Sequence, residues 1–350
     1  MNATERVPTR WWIVAGVALA AGLVGALLTA GLNRDDVDRV CSAEQVAARG
    51  LPSVVTIQAQ GSGGAGTGSG EVIRGDGYVL TNDHVIFSAS AAGQVSVVFD
   101  DGTTAPARIV GRDPHTDLAV LKVDAGRSLP TIQIGSSAGL SVGQPVVALG
   151  APLGLSSTLT TGVVSALGRT VRVPSEDVGT GLLAAAIQTD AAINPGNSGG
   201  ALVDCKARLV GVPTAGAVVP NEQGNASGGS IGIGFAIPVD FAMRIADQLI
   251  ANGSVTHAYL GLQAVPFPPQ THDDQVGLYV RAVTSGGPAQ AAGLRVGDVV
   301  TGMDGVPVTD ADQLDVLSVT RSPGDQVRLT YRRAGASADA TVTLAALPAG

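Results

Sequence analysis

A serine set among glycines, Gly196-Asn197-Ser198-Gly199-Gly200 with Pro195 just upstream, has the composition that an acyl-transfer nucleophile needs. Glycine lets the backbone turn tightly and brings two N–H groups toward one point. The oxyanion of a tetrahedral intermediate can sit there while the hydroxyl attacks from beside it. The same letters also describe an ordinary flexible loop, so the reading gains force only from a base and an orienting carboxylate elsewhere. Both occur. His84 stands in Thr81-Asn82-Asp83-His84-Val85, directly after the apolar run Gly77-Tyr78-Val79-Leu80, where a strand should end. Asp117 stands between His115-Thr116 and the run Leu118-Ala119-Val120-Leu121, at the mouth of another strand. A carboxylate that holds an imidazole in one tautomer makes it a general base for a serine hydroxyl.

The order His84, Asp117, Ser198 is that of the chymotrypsin-type triad. It excludes both the α/β-hydrolase order (Ser, acid, His) and the subtilisin order (Asp, His, Ser) if these three are partners. Other side chains read as bland. His115, two residues from Asp117, should point away from it on an extended chain and is structural or exposed. His257 and His272 lie outside the catalytic region and receive no chemistry, and Asp190 braces the nucleophile loop. Gly61-Ser62-Gly63-Gly64-Ala65-Gly66 has the letters of a dinucleotide fingerprint, but Thr67-Gly68-Ser69-Gly70-Glu71 cannot supply the helix that must follow, so it reads as a hairpin loop. No Gly-Lys-Ser/Thr sequence offers a phosphate loop. A formal net charge of -8, with no basic run, argues against nucleic acid as a partner. No cofactor and no metal site is expected.

The 350 residues suffice for two domains, each with its own core. Forty-eight glycines and 3% aromatic residues suit short strands joined by many turns. Strands are expected at Val54-Val55-Thr56-Ile57, at Glu71-Val72-Ile73 and Gly77 to Leu80 as a hairpin about Arg74-Gly75-Asp76, and at Gln94 to Phe99. More follow at Ala105 to Gly111, Leu118 to Val123, Gln144 to Leu149, Thr158 to Leu167 and Leu202 to Val212. Strands without helical crossovers argue for antiparallel barrels. Asp240 to Ala251 has helical spacing in Phe241, Ile245 and Leu249, and Ser42 could cap a short helix to Arg49.

At the N-terminus, Trp11 to Leu32 is uncharged and apolar, enough helix at about 1.5 Å per residue to cross roughly 30 Å of hydrocarbon. Arg6 and Arg10 precede it, favouring a cytoplasmic N-terminus, and two tryptophans mark its start. It is long for a signal peptide, no Ala-x-Ala site ends it, and Val37-Asp38-Arg39-Val40 before Cys41 is no lipobox, so it reads as an uncleaved anchor. Everything after it is then extracytoplasmic, where disulfides persist. Cys41 and Cys205 are the two cysteines, and whether they pair or stay separate thiols is open at this level.

The chain resembles the Deg/HtrA serine proteases, a trypsin-like domain followed by a PDZ domain. The matching blocks are Tyr78 to Val85, Thr116 to Leu121, Gly150-Ala151-Pro152-Leu153-Gly154-Leu155, Thr161 to Ala166, Gln188 to Gly200 and Gly232 to Pro238. The resemblance implies a mainly β fold: a chymotrypsin-like double six-stranded β-barrel, then a PDZ domain, with one transmembrane helix ahead of both. The expected limits are 1–10 for a cytoplasmic tail, 11–32 for the anchor, 33–50 for a stalk, 51–251 for the protease domain, 252–258 for a linker and 259–348 for the PDZ domain.

The family's activity implies cleavage of exposed segments of unfolded or misfolded proteins, as protein quality control under stress. Gly196 and Ser198 would give the oxyanion hole. Ala192, Ile193, Ile231 and Ile233 would wall the specificity pocket. Ala192 stands six residues before the serine where an acid would select Lys or Arg, so small aliphatic residues should fit. In the PDZ-like part, Tyr259-Leu260-Gly261-Leu262 matches the loop whose N–H groups receive a peptide C-terminus. Leu314 and Leu317 on a helix from Asp310 to Thr320 either face that groove or serve packing alone. Family members are usually trimers or larger, and Asn221 to Ser230 falls where they carry a mobile activation loop. The family does not require the cysteine pair. The competing reading is a non-proteolytic chaperone or PDZ scaffold on a protease platform, although no triad member is missing.

Overall fold

The computed structural model describes residues 41–62, 64–151, 158–216, 229–266 and 277–348. The expected tail and anchor, most of the stalk, the Pro152-to-Leu155 block, His272 and most of the expected activation loop lie outside them. Among the described residues, no helix is long and apolar enough to cross a membrane, and no cysteine is a free thiol.

A short helix, α1 (Ala43–Gly50), leads into the first barrel. That barrel closes in the order β1 (Val54–Gly61), β2 (Gly64–Arg74), β3 (Tyr78–Thr81), β6 (Leu118–Val123), β5 (Thr104–Asp113) and β4 (Gln94–Val98). Alternation drives it. On β4, Val95 and Val97 turn inward while Gln94 faces solvent, and Val55, Ile57, Val79 and Leu121 meet them in one buried cluster. The glycine-rich stretch lies at the end of the β1–β2 hairpin, whose pairing runs through Ala59↔Gly66 and Gln60↔Ala65 as far as Gly61↔Gly64.

The second barrel uses β8 (Pro145–Gly150), β9 (Thr158–Ser175), β10 (Gly179–Thr189), β13 (Gly234–Pro238), β12 (Arg208–Gly216) and β11 (Ala201–Val203), and β11–β12 pairing closes the ring. β7 (Gln133–Ile134) adds to β12. Two expectations change here. The strand foreseen from Thr158 to Leu167 runs on to Ser175, and its partner β10, which polar and small residues disguise, makes one long bulged hairpin with it. Leu202 to Val212 is two strands, because Asp204 accepts the N–H groups of Lys206 and Arg208 and folds a tight turn between them.

After β13, α3 (Val239–Asn252) buries Phe241, Ala242, Ile245, Ala246 and Leu249 on one face and stops at Gly253, whose left-handed φ of 77° caps Leu249 O. Downstream is a six-stranded sheet with path β15 (Leu262–Pro266), β16 (Leu278–Val283), β17 (Val299–Met303), β19 (Gln326–Arg333) and β20 (Ala336–Thr343), in which β18 (Val306–Pro307) pairs with β17. β14 (Ala258–Tyr259) pairs with β21 (Ala345–Ala346), and two helices, α4 (Pro288–Ala291) and α5 (Asp312–Thr320), cover the core. That core holds Leu278, Val280, Val300, Leu314, Val327 and Leu329.

Candidate active site

Two barrels packed edge to edge leave a cleft, and the residues singled out for chemistry come to it from separate strand ends. β3 stops at Thr81, whose hydroxyl donates to Ser69 O at 2.7 Å. Asn82 stays extended and a single helical turn, α2 (Asp83–Ile86), follows. Val85 and Ile86 anchor that turn in the first core, so His84 is left facing the cleft with 42% of its side chain exposed. Asp117, 6% exposed, closes the β5–β6 connection with a left-handed φ of 56°, a conformation that Asp tolerates better than most residues. It is held on three sides. His84 donates its backbone N–H to Oδ1 at 3.0 Å and its Nδ1 lies 2.9 Å from both carboxylate oxygens. Asn82 Nδ2 donates to the Asp117 carbonyl at 2.8 Å, and the Thr214 hydroxyl makes a very short bond to Oδ2.

Ser198 arrives from the second barrel. Its backbone is stitched to the first: Ser69 N–H donates to Ser198 O at 2.9 Å, and the Ser69 hydroxyl donates to Gly196 O at 2.6 Å. Gly199 N–H donates to Pro213 O at 2.9 Å, and at Gly199 a Cβ would overlap Thr81 Oγ1 and the Ser69 carbonyl, at a φ of 78°. Only glycine fits on both counts. The Ser198 hydroxyl donates to Thr214 O at 3.3 Å. Gly196 has a φ of 103°, and among the described residues no acceptor takes the N–H of Gly196 or Ser198.

Electrostatics favour a base here. Burial works against a charged His84, but the Asp117 hydrogen bond and charge outweigh it, and the imidazole pKa is raised from 6.5. Asp83, next to it, is pushed up to about 6 by burial, with Arg112 pulling the other way. Arg112 grips both Asp83 oxygens, at 2.7 Å and 2.9 Å, and reaches Asp177 at 3.0 Å on the β9–β10 hairpin.

The expected pocket residues differ in burial. Ile193 is buried in the core of the second barrel and Ile233 is half-buried. Ile231 is 44% exposed, and half-buried Ala192 offers its carbonyl to Thr160 and Asn197. Asp190 braces the loop through Val163 N–H at 2.7 Å. In the C-terminal region, Tyr259 bonds Thr284 through its hydroxyl at 2.6 Å, while Leu260 O and Gly261 O accept from Ala289 and Thr284. Leu262 opens β15, which among the described residues pairs on one side only. Leu314 and Leu317 are both buried in that region's core.

Sequence reasoning passed over two groups. Thr214 orients the carboxylate, and its signal was a hydroxyl interrupting a buried apolar strand. His257 sat in what read as a linker, yet it is 6% exposed, with Nε2 2.7 Å from Asp113 Oδ1 and its ring edge-on to His115 at 4.8 Å. Among the described residues, no cluster of His, Cys, Asp and Glu could hold a metal ion.

Comparison with known proteins bears on both regions. Residues 68–212 match the trypsin-like peptidase domain family, and residues 255–344 match the PDZ domain family. The serine protease PepD of Mycobacterium tuberculosis is 46% identical over 311 residues, covering 87% of this chain and 66% of that protein. A probable periplasmic serine endoprotease, DegP-like, of Brucella suis is 40% identical over 290 residues, covering 80% and 53%. This chain therefore spans about two thirds of the first and about half of the second. The solved structure of the HtrA-type protease AlgW with a decapeptide superposes with a TM-score of 0.70 at 32% identity, over 88% of this chain and all of that one.

Proposed function

Since this chain belongs to the HtrA-type family of trypsin-like serine proteases, we propose that it is a membrane-anchored, extracytoplasmic serine endopeptidase that cuts exposed segments of unfolded or misfolded proteins. The observation that carries the reading is the position of one carboxylate. Asp117 binds the imidazole of His84 on one side and the hydroxyl of Thr214 on the other, and Thr214 O receives the hydroxyl of Ser198.

In the reaction, Ser198 Oγ turns from Thr214 O toward the free face of His84, which takes its proton as the oxygen attacks the scissile carbonyl. Asp117 keeps the Nδ1 proton in place and offsets the charge of the imidazolium. The N–H groups of Gly196 and Ser198 receive the oxyanion, and loss of one such donor costs about 10²–10³ in rate. His84 then returns the proton to the leaving amine and activates the water that hydrolyses the acyl-enzyme. A hydroxyl that starts on the Thr214 carbonyl has to rotate away from it before it can attack.

The open edge of β15 and the Tyr259-to-Leu262 loop suit strand addition by a peptide C-terminus. The proposed anchor is 11–32, and a trimer is the proposed assembly. The test is cleavage of a reduced, unfolded polypeptide by the purified chain and by Ser198→Ala. Loss of cleavage in the variant supports the reading. Suppression of aggregation by both forms, with cleavage by neither, supports the chaperone alternative.

A further inference from the structure

His84 stands on a helical turn of four residues, α2, whose first residue is Asp83. A turn that short does not hold its own shape, and Asn82 ahead of it makes no side-chain cap. What fixes its polar end is Arg112 of β5. Arg112 Nε donates to Asp83 Oδ1 at 2.7 Å and Nη2 to Oδ2 at 2.9 Å, a fork that matches both carboxylate oxygens. Among the described residues, the Asp83 carboxylate has no other hydrogen-bond donor. The guanidinium is fixed in turn. Nη2 lies 3.0 Å from Asp177 Oδ2 at the tip of the β9–β10 hairpin, and the guanidinium carbon is 5.6 Å from the centre of the Phe87 ring. The Arg112 backbone pairs with Ala119, two residues beyond Asp117. One side chain therefore joins the turn that carries the base, the strand pair that carries its carboxylate and a hairpin of the second barrel.

Charge gives the arrangement a use. The groups around the His84 ring are Asp117 from the β5–β6 connection, Asp83 from its own turn, and Glu176 and uncharged Thr214 across the cleft. Next to Asp83 come Arg112 and, bonded to it, Asp177. Asp83 and Asp117 both favour the protonated imidazole, and the Asp117 charge works against an ionised Asp83. The guanidinium offsets one of those two charges. Without it the turn would carry a buried carboxylate with no partner, directly beside the base.

We propose that Arg112 is a positioning residue for the general base: its fork on Asp83, completed by Asp177, fixes the α2 turn where His84 meets Asp117 and balances Asp83, so that Asp117 alone orients the ring. The assignment rests on the endopeptidase reading, in which His84 is the base. Arg112 does not line the cleft at His84, so it acts on turnover rather than on substrate binding. Lysine in its place keeps the charge and loses the fork, whereas glutamine loses both. A base displaced by about 1 Å costs about 10²-fold in rate, which sets the scale for Arg112→Gln. Asp177 is exposed and its share is smaller, a factor of about 2 in kcat.

The experiment measures peptide cleavage by the whole chain across pH for Arg112→Lys, Arg112→Gln, Asp83→Asn and Asp177→Asn. In the Arg112 variants kcat should fall with KM little changed, and lysine should recover part of what glutamine loses. Asp83→Asn removes a charge that favours the imidazolium, so the acid limb of kcat/KM should move to lower pH, a shift that a merely structural residue would not cause. Histidine NMR of the Ser198→Ala background reads the same shift in the His84 ring without any cleavage. Thermal unfolding checks each variant, and Asp177→Asn, at an exposed turn, keeps the test open where a change at Arg112 prevents folding. A kcat that the folded Arg112 and Asp177 variants leave unchanged would overturn the role while the endopeptidase reading stands. So would a His84 midpoint that Asp83→Asn leaves in place or raises. A wild-type chain that cleaves no peptide would remove that reading, and with it the base to be positioned.

Discussion

Glu71 lies on β2 between Val54 of β1 and Leu80 of β3, fully buried in the first barrel, and neither carboxyl oxygen has a hydrogen-bond partner among the described residues. Burial raises its pKa well above the usual carboxylate value. In the unfolded chain the same group titrates near about 4.3. Below that pH both states hold the proton, and the group does not favour unfolding. Above it, the unfolded chain releases the proton while the folded barrel keeps it. Folding then loses about 1.4 kcal/mol for each pH unit until the folded-state value is passed. Glu71→Met keeps the length and removes the carboxyl. Burial of the neutral carboxyl alone, a polar group left without a partner, costs about 1–3 kcal/mol, and at neutral pH the variant should be more stable by at least that, with the pH-dependent loss added to it. Urea unfolding of both proteins at pH 5 and pH 7.5 reads this directly. The gap should widen with pH. A variant no more stable than wild type at pH 7.5, or a gap that shrinks as pH rises, would refute the reasoning.

Three further outcomes follow from the geometry around the triad. Acid inactivation of peptide cleavage should have a midpoint above 6.5, because Asp117 holds His84 protonated to higher pH, and a kcat/KM–pH profile reads it. Asp117→Asn keeps the shape but presents the wrong tautomer, and should lower kcat by about 10⁴ with little change in thermal stability. Removing His257 leaves the buried Asp113 carboxylate with the Thr116 hydroxyl but without its ring partner, and His257→Ala should cost about 3–5 kcal/mol in denaturant titration.

Much of the first barrel and the site could be read in advance because both depend on local patterns. Alternation along Gln94 to Val98 signals which face is buried, and an apolar strand that ends in Asn-Asp-His marks where a side chain can leave the sheet. Glycines at 196 and 199 signal a backbone that must turn and be approached closely. What escaped the sequence is non-local. β10 is mostly Gly, Thr, Ala and Leu, with Ile187 and Gln188 near its end, and that pattern is uninformative until its long pairing with β9 is seen. The hairpin tip reaches the cleft through Arg112, which joins Asp83 to a residue of the other barrel, and no spacing rule predicts such a bridge. His257 looked like linker because the group it satisfies, Asp113, is 144 positions away. Ile193, which the resemblance places on a pocket wall, has its side chain in the buried cluster of the second barrel, a packing that its neighbours in sequence do not reveal.

The most direct test of the nucleophile is covalent capture by a fluorophosphonate, followed by peptide mapping of the purified chain. A single adduct on Ser198, abolished together with peptide cleavage in Ser198→Ala, is the predicted result. An adduct on another serine, or cleavage that survives Ser198→Ala, would contradict the account.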